Sequence, residues 1–430
     1  MRTRVGCWRV VVRDEYRPRV LARSLVNGQR WALAGWPAVA AFTALAAALL
    51  QPGPVAAREP VHSAQAGSAV RAPGAVAPGG RLPVRTVGLV LPAQIELLDR
   101  GRWRPVGRPI VRPDAPRLLR APPQPQVLRL RARGADGGLT PMRRVRVRSL
   151  VLSAVGDVNF GDGPGAMIAR FGPDYPWTSV GPLTSKADIA FANLECAVSL
   201  RGSPQLKKFV FRGRPSAVRA MRRRAGIDVV SLANNHAGDY GDTALLDTLR
   251  YLRDAGITSV GAGAGEQAAY RPRVIRRLGL RVAFVGFSTI LPFEFRALGR
   301  DPGTAWGFPA RVRSAVRRAR RRADVVVAAF HWGTERATHE SAAQRALARV
   351  ALRAGATAVL GSHPHVLQPI RRLPRRRLVA YSLGNFVFSA SSPATARTGV
   401  LELSLARRGV VGSRFKPATI RAGRPILGRR

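Results

Sequence analysis

The chain has 430 residues, of which 46% are apolar, so it is long enough for two or three domains and can bury a core. This composition excludes a wholly disordered chain, and only two cysteines exclude a disulfide scaffold. The 71 Lys and Arg residues outnumber the 24 Asp and Glu residues, which gives a formal net charge of +47. Such an excess attracts polyanions. The strong preference for Arg over Lys is also typical of a compositional bias.

The first 50 residues predict membrane targeting. Residues 1–30 carry eight Arg against two acids and are predicted to stay in the cytoplasm. Residues 31–50, WALAGWPAVAAFTALAAALL, hold no charge and are long enough to span a bilayer as a helix. We therefore expect the rest of the chain to lie outside the cytoplasm. It would be held as a single-pass membrane protein by a signal-anchor, or secreted after signal-peptide cleavage near Val55-Ala56-Ala57.

The next two segments contain no catalytic pattern. Residues 51–80 are rich in Pro, Ala and Gly, which predicts a linker. Residues 81–149 alternate apolar runs with turn signals, which predicts a small all-β module, roughly immunoglobulin-like. The apolar runs are 86–91, 95–98, 126–132 and 144–150. This segment has no His and no acidic cluster, so we expect it to act as a spacer.

From residue 150 to 405, apolar strands alternate with helical stretches, which predicts an α/β domain. The predicted strands are 150–155, 189–192, 229–232, 282–287, 325–330, 358–360 and 378–381. The predicted helices are 215–225, 242–255, 310–322 and 340–354. Residues 406–430 are predicted to form short β segments and a basic tail.

Polar residues follow these strands, where ligand sites of open α/β sheets gather. Four of the six His residues of the chain fall at strand ends, next to Asp, Glu and Asn. Carboxylate, amide and imidazole groups are ligands for Zn, Mn or Fe. Several such ligands from separate strands fit a two-metal centre, which can activate a hydroxide and stabilise an oxyanion.

Six longer motifs contain these strand ends. They are GDVNFGD (156–162), ADIAFANLE (187–195), GIDVVSLANNHAGDYG (226–241), HWGTE (331–335), GATAVLGSHPHVLQP (355–369) and YSLGNFVF (381–388). On these motifs, residues 150–390 resemble the CapA, or poly-γ-glutamate capsule synthesis, family, which is similar to the calcineurin-like metallophosphoesterases. The resemblance implies a four-layer α/β/β/α metallophosphatase-like fold.

The resemblance also implies which residues hold two divalent ions, expected to be Mn, Zn or Fe. Asp157 resembles the first carboxylate ligand of metal one, whereas Asn159 stands where the phosphoesterases have a histidine, which puts metal one in doubt. Glu195 takes the place of the bridging aspartate. The remaining implied ligands are Asn235, His331 and His363 for metal two, and His365 for metal one.

A second set of residues is implied to support the chemistry. His236 resembles the histidine that protonates the leaving group or steadies the oxyanion in the phosphoesterases. The residues that could orient the imidazoles are Asp239, Glu335, Ser362 and Asn385. For Asp239, a turn position before Tyr240-Gly241 is an equally good explanation.

Two functions follow from the resemblance. The first is a metal-dependent hydrolase or transferase, in which a metal-activated hydroxide attacks an anionic envelope polymer, poly-γ-glutamate or one like teichoic acid, with His236 as acid. The alternative is a non-catalytic, membrane-anchored polymer-binding or assembly factor with a structural or vestigial metal site. Other capsule synthesis or export subunits are implied partners. Nucleic acid is not expected as a partner, because the domain is predicted outside the cytoplasm and the sequence has no nucleic-acid-binding signature.

Overall fold

The structure is a computed structural model that describes residue 64 and residues 66–428. The predicted cytoplasmic and membrane segments, and the linker up to residue 63, lie outside these residues. Within the described part, no helix is long and apolar enough to cross a membrane.

Residues 66–149 form a two-sheet β module. Its strands are β1 (Ala69–Arg71), β2 (Ala75–Val76), β3 (Arg81–Val87), β4 (Gln94–Asp99), β5 (Arg102–Pro105), β6 (Arg117–Arg120), β7 (Gln126–Arg133) and β8 (Arg143–Val147). They pair in the orders β1-β3-β6 and β2-β8-β7-β4-β5. Apolar and charged residues alternate along β3 and β7, so each strand buries one face in the module core. The first two strands lie in the segment predicted as linker, so the module begins before residue 81.

The larger domain follows directly. Its strands are β9 (Leu150–Val158), β10 (Ile189–Leu194), β11 (Ala197–Val198), β12 (Arg212–Gly213), β13 (Val229–Ser231), β14 (Thr258–Val260), β15 (Ala262–Gly263), β16 (Arg273–Arg277), β17 (Leu280–Ser288), β18 (Gly303–Thr304), β19 (Val325–His331), β20 (Ala358–Ser362), β21 (Ile370–Leu373), β22 (Arg377–Ala380), β23 (Asn385–Val387), β24 (Arg397–Ala406), β25 (Gly409–Arg421) and β26 (Arg424–Leu427). Its helices are α1 (Asp162–Phe171), α2 (Gly181–Thr184), α3 (Pro215–Ala225), α4 (Gly241–Asp254), α5 (Glu266–Ala269), α6 (Pro309–Arg322), α7 (Ala342–Ala354) and α8 (Pro393–Ala396).

Two sheets form the centre of this domain. One has the order β14-β13-β10-β9-β24-β25-β26, with β23 also paired to β9, and the other has the order β16-β17-β19-β20-β22-β21. The last three strands belong to the first sheet, so the domain continues to Leu427 rather than ending at residue 405.

The sheets pack face to face with helices on their outer sides. Phe191 of β10 stacks on Phe284 of β17, with ring centroids 6.1 Å apart, within a core formed by both sheets. On the outer faces, α3 and α4 cover the first sheet and α6 and α7 cover the second. This arrangement gives the α/β/β/α layers that the family resemblance implies.

Helix ends follow ordinary capping chemistry. Helix α7 begins with a capping box between Ser341 and Gln344 and ends at Gly355, whose φ of 115° lies in the left-handed region. Helix α6 has Pro309 in its first turn. Its buried residues recur at the spacing of one helix face, and they are Val312, Ala315, Val316 and Ala319.

The β module docks on one edge of the domain. The Ala77 amide donates to the Leu278 carbonyl at 2.8 Å, just before β17 begins. Arg148 donates two hydrogen bonds to the Asp188 carboxylate, at 2.7 and 2.8 Å, just before β10 begins. The module therefore contacts the amino ends of β10 and β17, and the carboxyl ends of these strands lie at the opposite edge.

Candidate metal centre

The strand ends that carry polar residues meet at one edge of the sandwich. Strands β9, β10 and β13 run parallel, with Asp157 aligned with Asn193 across β9 and β10. In the other sheet, β19 and β20 run parallel, with His331 aligned with Ser362. The His363 amide donates to Asp157 Oδ2 at 3.3 Å, which joins the two sheets at this edge.

Two buried carboxylates occupy the middle of the cluster. Asp157 and Glu195 are both 0% exposed. Glu195 belongs to two groups of residues, and within each group the possible ligand atoms lie within 4.8 Å of one another. One group is Glu195 with His363 and His365, and the other is Glu195 with Asp157 and His331. Glu195 therefore stands between the two groups. Burial raises the pKa of its carboxyl well above the ordinary value, and the charge of Asp157 adds to this rise.

Three imidazoles surround these carboxylates. His331 Nε2 lies 2.8 Å from Asn235 Oδ1 and 3.5 Å from Glu195 Oε1. His365 Nδ1 lies 3.4 Å from Asp157 Oδ2, and its Nε2 lies 3.8 Å from Glu195 Oε1. The ring of His363 has its centroid 4.8 Å from that of His331. The structure thus brings together Asp157, Glu195, Asn235, His331, His363 and His365.

Burial decides the protonation of the two deepest imidazoles. It lowers the pKa of His331 well below the ordinary value and lowers the pKa of His363 to about 3. Both rings are therefore neutral near pH 7, which is the form that binds a cation. For His365, burial also lowers the pKa, but the hydrogen bond and charge of Asp157 leave it raised overall.

The backbone that presents these ligands is unusual. His363 and His365 have φ values of 95° and 57°, in a region that residues with side chains rarely adopt. A Cβ at Gly156, directly before Asp157, would lie 1.8 Å from the Gly384 carbonyl oxygen. Only glycine fits this close approach, so the GD pair of the first motif has a steric reason as well as a chemical one.

Asn193 joins the ligands of the cluster, although it is not among the predicted site residues. Its Nδ2 donates to Asp157 Oδ1 at 2.9 Å and also lies 3.4 Å from Glu195 Oε2 and 3.2 Å from His331 Nδ1. Its place at the end of β10 is a signal that could have identified it. Asn193 positions three neighbouring ligands from one amide group.

His236 lies at the side of the cluster and is supported by three residues. Its Nδ1 is 2.7 Å from Asp239 Oδ2, and the Phe211 ring packs over the imidazole at a centroid distance of 4.2 Å. Lys207 Nζ donates to Asp239 Oδ1 and to the Asn235 carbonyl, both at 2.6 Å. Burial lowers the pKa of His236, and Asp239 opposes this effect. Lys207 comes from a loop between strands, and no pattern in the sequence identifies it.

The other predicted residues have varied surroundings. Asn159 Oδ1 accepts a hydrogen bond from the Gly161 amide at 2.7 Å, so this oxygen is used within its own loop. Asn385 Oδ1 lies 2.9 Å from His365 Nδ1 and orients that ring. Ser362 is buried and Glu335 is exposed, and neither side chain hydrogen-bonds an imidazole in the described part of the chain.

The hydrogen bonding of two buried atoms indicates whether the cluster fits a cation. Among the described residues, Glu195 Oε1 and His363 Nδ1 are buried and have no hydrogen-bond partner. Leaving buried polar atoms without partners costs roughly 1–3 kcal/mol each, and a cation between them would remove that cost. Together with the carboxylate and imidazole donors around them, these atoms fit a divalent metal ion.

Comparisons with known proteins identify the family and relatives of the chain. The family described as "Bacterial capsule synthesis protein PGA_cap" matches residues 151–390, more than half of the chain. The capsule biosynthesis protein CapA of Bacillus anthracis is 30% identical over 295 residues, which cover 67% of this chain and 71% of that protein. The PGA biosynthesis protein CapA of Bacillus subtilis (strain 168) is 30% identical over 280 residues, which cover 64% and 73%.

Similarity to solved structures is weaker. An NAD nucleotidase of Haemophilus influenzae aligns with 66% of this chain and 54% of its own, at 12% identity and a TM-score of 0.38, which supports no argument about this protein. The family assignment therefore depends on the sequence matches, and the family match over residues 151–390 covers every strand end of the candidate metal centre. The chain belongs to the bacterial capsule synthesis family PGA_cap, whose members include the CapA proteins of Bacillus.

Proposed function

We propose that this protein is a metal-dependent hydrolase or transferase that acts on an anionic envelope polymer during its synthesis or export. The polymer would be poly-γ-glutamate or a chain resembling teichoic acid. Family membership supports the polymer. The observation that carries the chemistry is a pair of buried atoms, Glu195 Oε1 and His363 Nδ1, that have no hydrogen-bond partner among the described residues and lie inside a cluster of carboxylates and imidazoles.

In this proposal the ligands would hold two divalent ions, with Glu195 shared between them. Bound ions supply charge that activates water and stabilises an oxyanion. The chain itself contributes the positions of the groups: Asn193 fixes Asp157, and Asn385 fixes His365. The many hydrogen bonds among these side chains hold the donors in place before any substrate arrives.

His236 would exchange a proton with the leaving group. Asp239 faces Nδ1 of the ring, which leaves Nε2 as the atom available to substrate. Lys207 holds the Asp239 carboxylate in place, because its ammonium group donates a hydrogen bond directly to it. Phe211 covers one face of the imidazole and limits its rotation.

We further propose that the protein works outside the cytoplasm. The uncharged residues 31–50 follow a basic segment, which supports a signal-anchor or a signal peptide. A membrane-held protein would meet the polymer at the cell surface, together with other capsule synthesis or export subunits.

One observation favours a non-catalytic assembly factor as the second candidate. Asn159 Oδ1 is bonded to the Gly161 amide, so the first metal position lacks the ligand that the phosphoesterases have there. A chain with one weak position would hold a metal for structure rather than for chemistry.

Metal content and hydrolysis together distinguish the two candidates. The purified full-length chain would be loaded with Mn, Zn or Fe, analysed for bound metal, and incubated with a chromogenic phosphodiester and with poly-γ-glutamate. The enzyme proposal expects close to two ions per chain and hydrolysis of one substrate that His236→Ala lowers by roughly 100-fold or more. Asp254→Asn, which alters an exposed carboxylate at the end of α4, is the matched control. Metal-loaded protein that cleaves neither substrate, or His236→Ala protein as active as the parent, would overturn it.

A further inference from the structure

A second feature of the domain is an arginine-lined cleft on the outer helical layer. It lies between α5, with the residues that follow it, and α6, and it has a volume of about 520 Å³. Among the described residues that line it, the arginines are Arg271, Arg311, Arg318 and Arg322, and Glu266 is the only acid. This volume lies within the range of ordinary ligand sites. None of these residues belongs to the metal centre.

The four arginines differ in what they already contact. Arg311 pairs with Glu266 at 2.6 Å, and Arg318 donates to the Tyr270 carbonyl at 3.1 Å. Arg271 and Arg322 are exposed, and neither side chain has a hydrogen-bond or ion-pair partner among the described residues. The cleft therefore presents two unpaired guanidinium groups beside two that are held in place.

Helix α6 allows the cleft to be compared with an ordinary basic surface. Its buried face packs on the second sheet, and its other positions carry seven arginines and no acid. Arg313 and Arg321 are exposed and unpaired like Arg322, within the described part of the chain, but they do not line the cleft. The same helix thus supplies both cleft arginines and arginines of equal charge outside it.

We propose that this cleft binds a run of neighbouring carboxylates on an acidic polymer. Guanidinium groups bind carboxylates through paired hydrogen bonds, and several such groups in one cleft suit a chain that repeats its charge. The choice of a polycarboxylate rests on the proposed function, whereas the cleft and its unpaired arginines do not. The cleft would hold one part of the polymer while the metal centre acts on another part of the same polymer molecule.

Polymer binding by two double variants tests this inference. Fluorescently labelled poly-γ-glutamate would be titrated with the full-length protein in the presence of EDTA, at low and at physiological salt. We expect Arg271→Glu/Arg322→Glu to weaken binding at least tenfold, because both unpaired cleft charges are reversed. The control Arg313→Glu/Arg321→Glu has the same net charge and should weaken binding less than twofold. Thermal unfolding would verify that both double variants are folded. If Arg271→Glu/Arg322→Glu does not fold, Arg271→Gln/Arg322→Gln would take its place.

Three outcomes would overturn the proposal. Equal weakening by both double variants would mean that polymer binding depends only on the total charge of the protein. Free glutamate binding as tightly as the polymer would exclude a site for consecutive carboxylates. If polyphosphate binds more tightly than poly-γ-glutamate, and its binding is lost in the same cleft variant, carboxylates are excluded as the preferred ligand. Because EDTA removes any metal, none of these results depends on whether the metal centre is catalytic.

Discussion

The metal centre and the arginine cleft use charge in opposite ways. At the metal centre the carboxylates and all but one of the imidazoles are buried, and two of their atoms lack partners among the described residues. In the cleft four arginines accompany a single acid among the described residues, and three of the four arginines are exposed. Burying a polar group without a partner is costly, so the first arrangement is informative about function even though it involves little charge. Exposed arginines cost little, and their number alone says little.

The largest effect should come from the carboxylate shared by both ligand groups. Glu195→Ala removes a donor from each group, so metal affinity should fall by more than 100-fold, or about 2.7 kcal/mol of binding free energy. Elemental analysis after dialysis against Mn or Zn measures this loss. Asp254→Ala removes an exposed carboxylate at the end of α4 and should retain the parent's metal content. Equal metal in parent and Glu195→Ala protein would refute the assignment of the site.

A smaller loss should follow from removing an orienting amide. Asn193→Ala deletes the hydrogen bond to Asp157, so we expect metal affinity to fall 10–100-fold, the usual effect of losing such a partner. Calorimetric titration with Zn or Mn gives the affinity. Asn159→Ala is the matched comparison, because its oxygen bonds Gly161 and not a ligand. If the Asn159 variant loses more affinity than the Asn193 variant, Asn159 binds metal after all.

An acid paired with arginines should behave as a structural group. Asp247 is buried and accepts hydrogen bonds from Arg201 and Ser199, and the Arg201 bond is the main cause that holds its pKa below the ordinary value. Asp247→Asn should lower the free energy of unfolding at pH 7 by about 1 kcal/mol. A lowered folded-state pKa gives stability that is present above the unfolded pKa of about 3.9 and is lost as pH falls further.

Urea unfolding at several pH values checks this sign. The difference between parent and Asp247→Asn should be full at pH 5–7 and should shrink below about pH 4. Asp254→Asn, at an exposed position at the end of the same helix, should change stability little at any pH. A difference that grows as pH falls would contradict the pairing.

The smallest effect should come from the cleft itself. Arg322→Gln removes an exposed and unpaired side chain, so the free energy of unfolding should change by less than about 0.5 kcal/mol. Urea unfolding measures it, with Arg148→Gln as the comparison because Arg148 makes two hydrogen bonds to Asp188. A loss above about 1 kcal/mol for Arg322→Gln would mean that this arginine stabilises the fold instead of awaiting a ligand.

Much of the domain could be predicted from its sequence because its strands are continuous apolar runs. Strand β9 covers the predicted 150–155, and α3 covers the predicted 215–225. The start of the module could not be predicted, because β1 and β2 are short and lie among Ala, Gly and Pro residues typical of a linker. The position of Leu427 in the first sheet depends on pairing with β25, which the residues of β26 alone do not indicate.

The site was predictable where chemistry and position coincide. Asp157, Glu195 and the three imidazoles are rare residue types at strand ends, and the structure brings them together. Lys207 could not be predicted, because its role depends on a loop that folds back onto Asp239. The arginine cleft could not be predicted either. Arg271 and Arg322 are far apart in sequence, and nothing in the sequence distinguishes them from the other arginines. Only the fold places both of them in one cleft.

The docking of the β module on the amino ends of β10 and β17 has a practical consequence. If the protein is attached to a surface through the module, the opposite edge of the domain, which carries the candidate metal ligands, points away from that surface. Val111 of the module is 70% exposed, so Val111→Cys offers a point for biotin or a dye. Cys196 would not compete, because it is buried and its pKa is raised to about 12. With Cys7 also changed to Ser, the biotin on Val111→Cys would be the single attachment point, so every molecule bound to a sensor surface would have the same orientation.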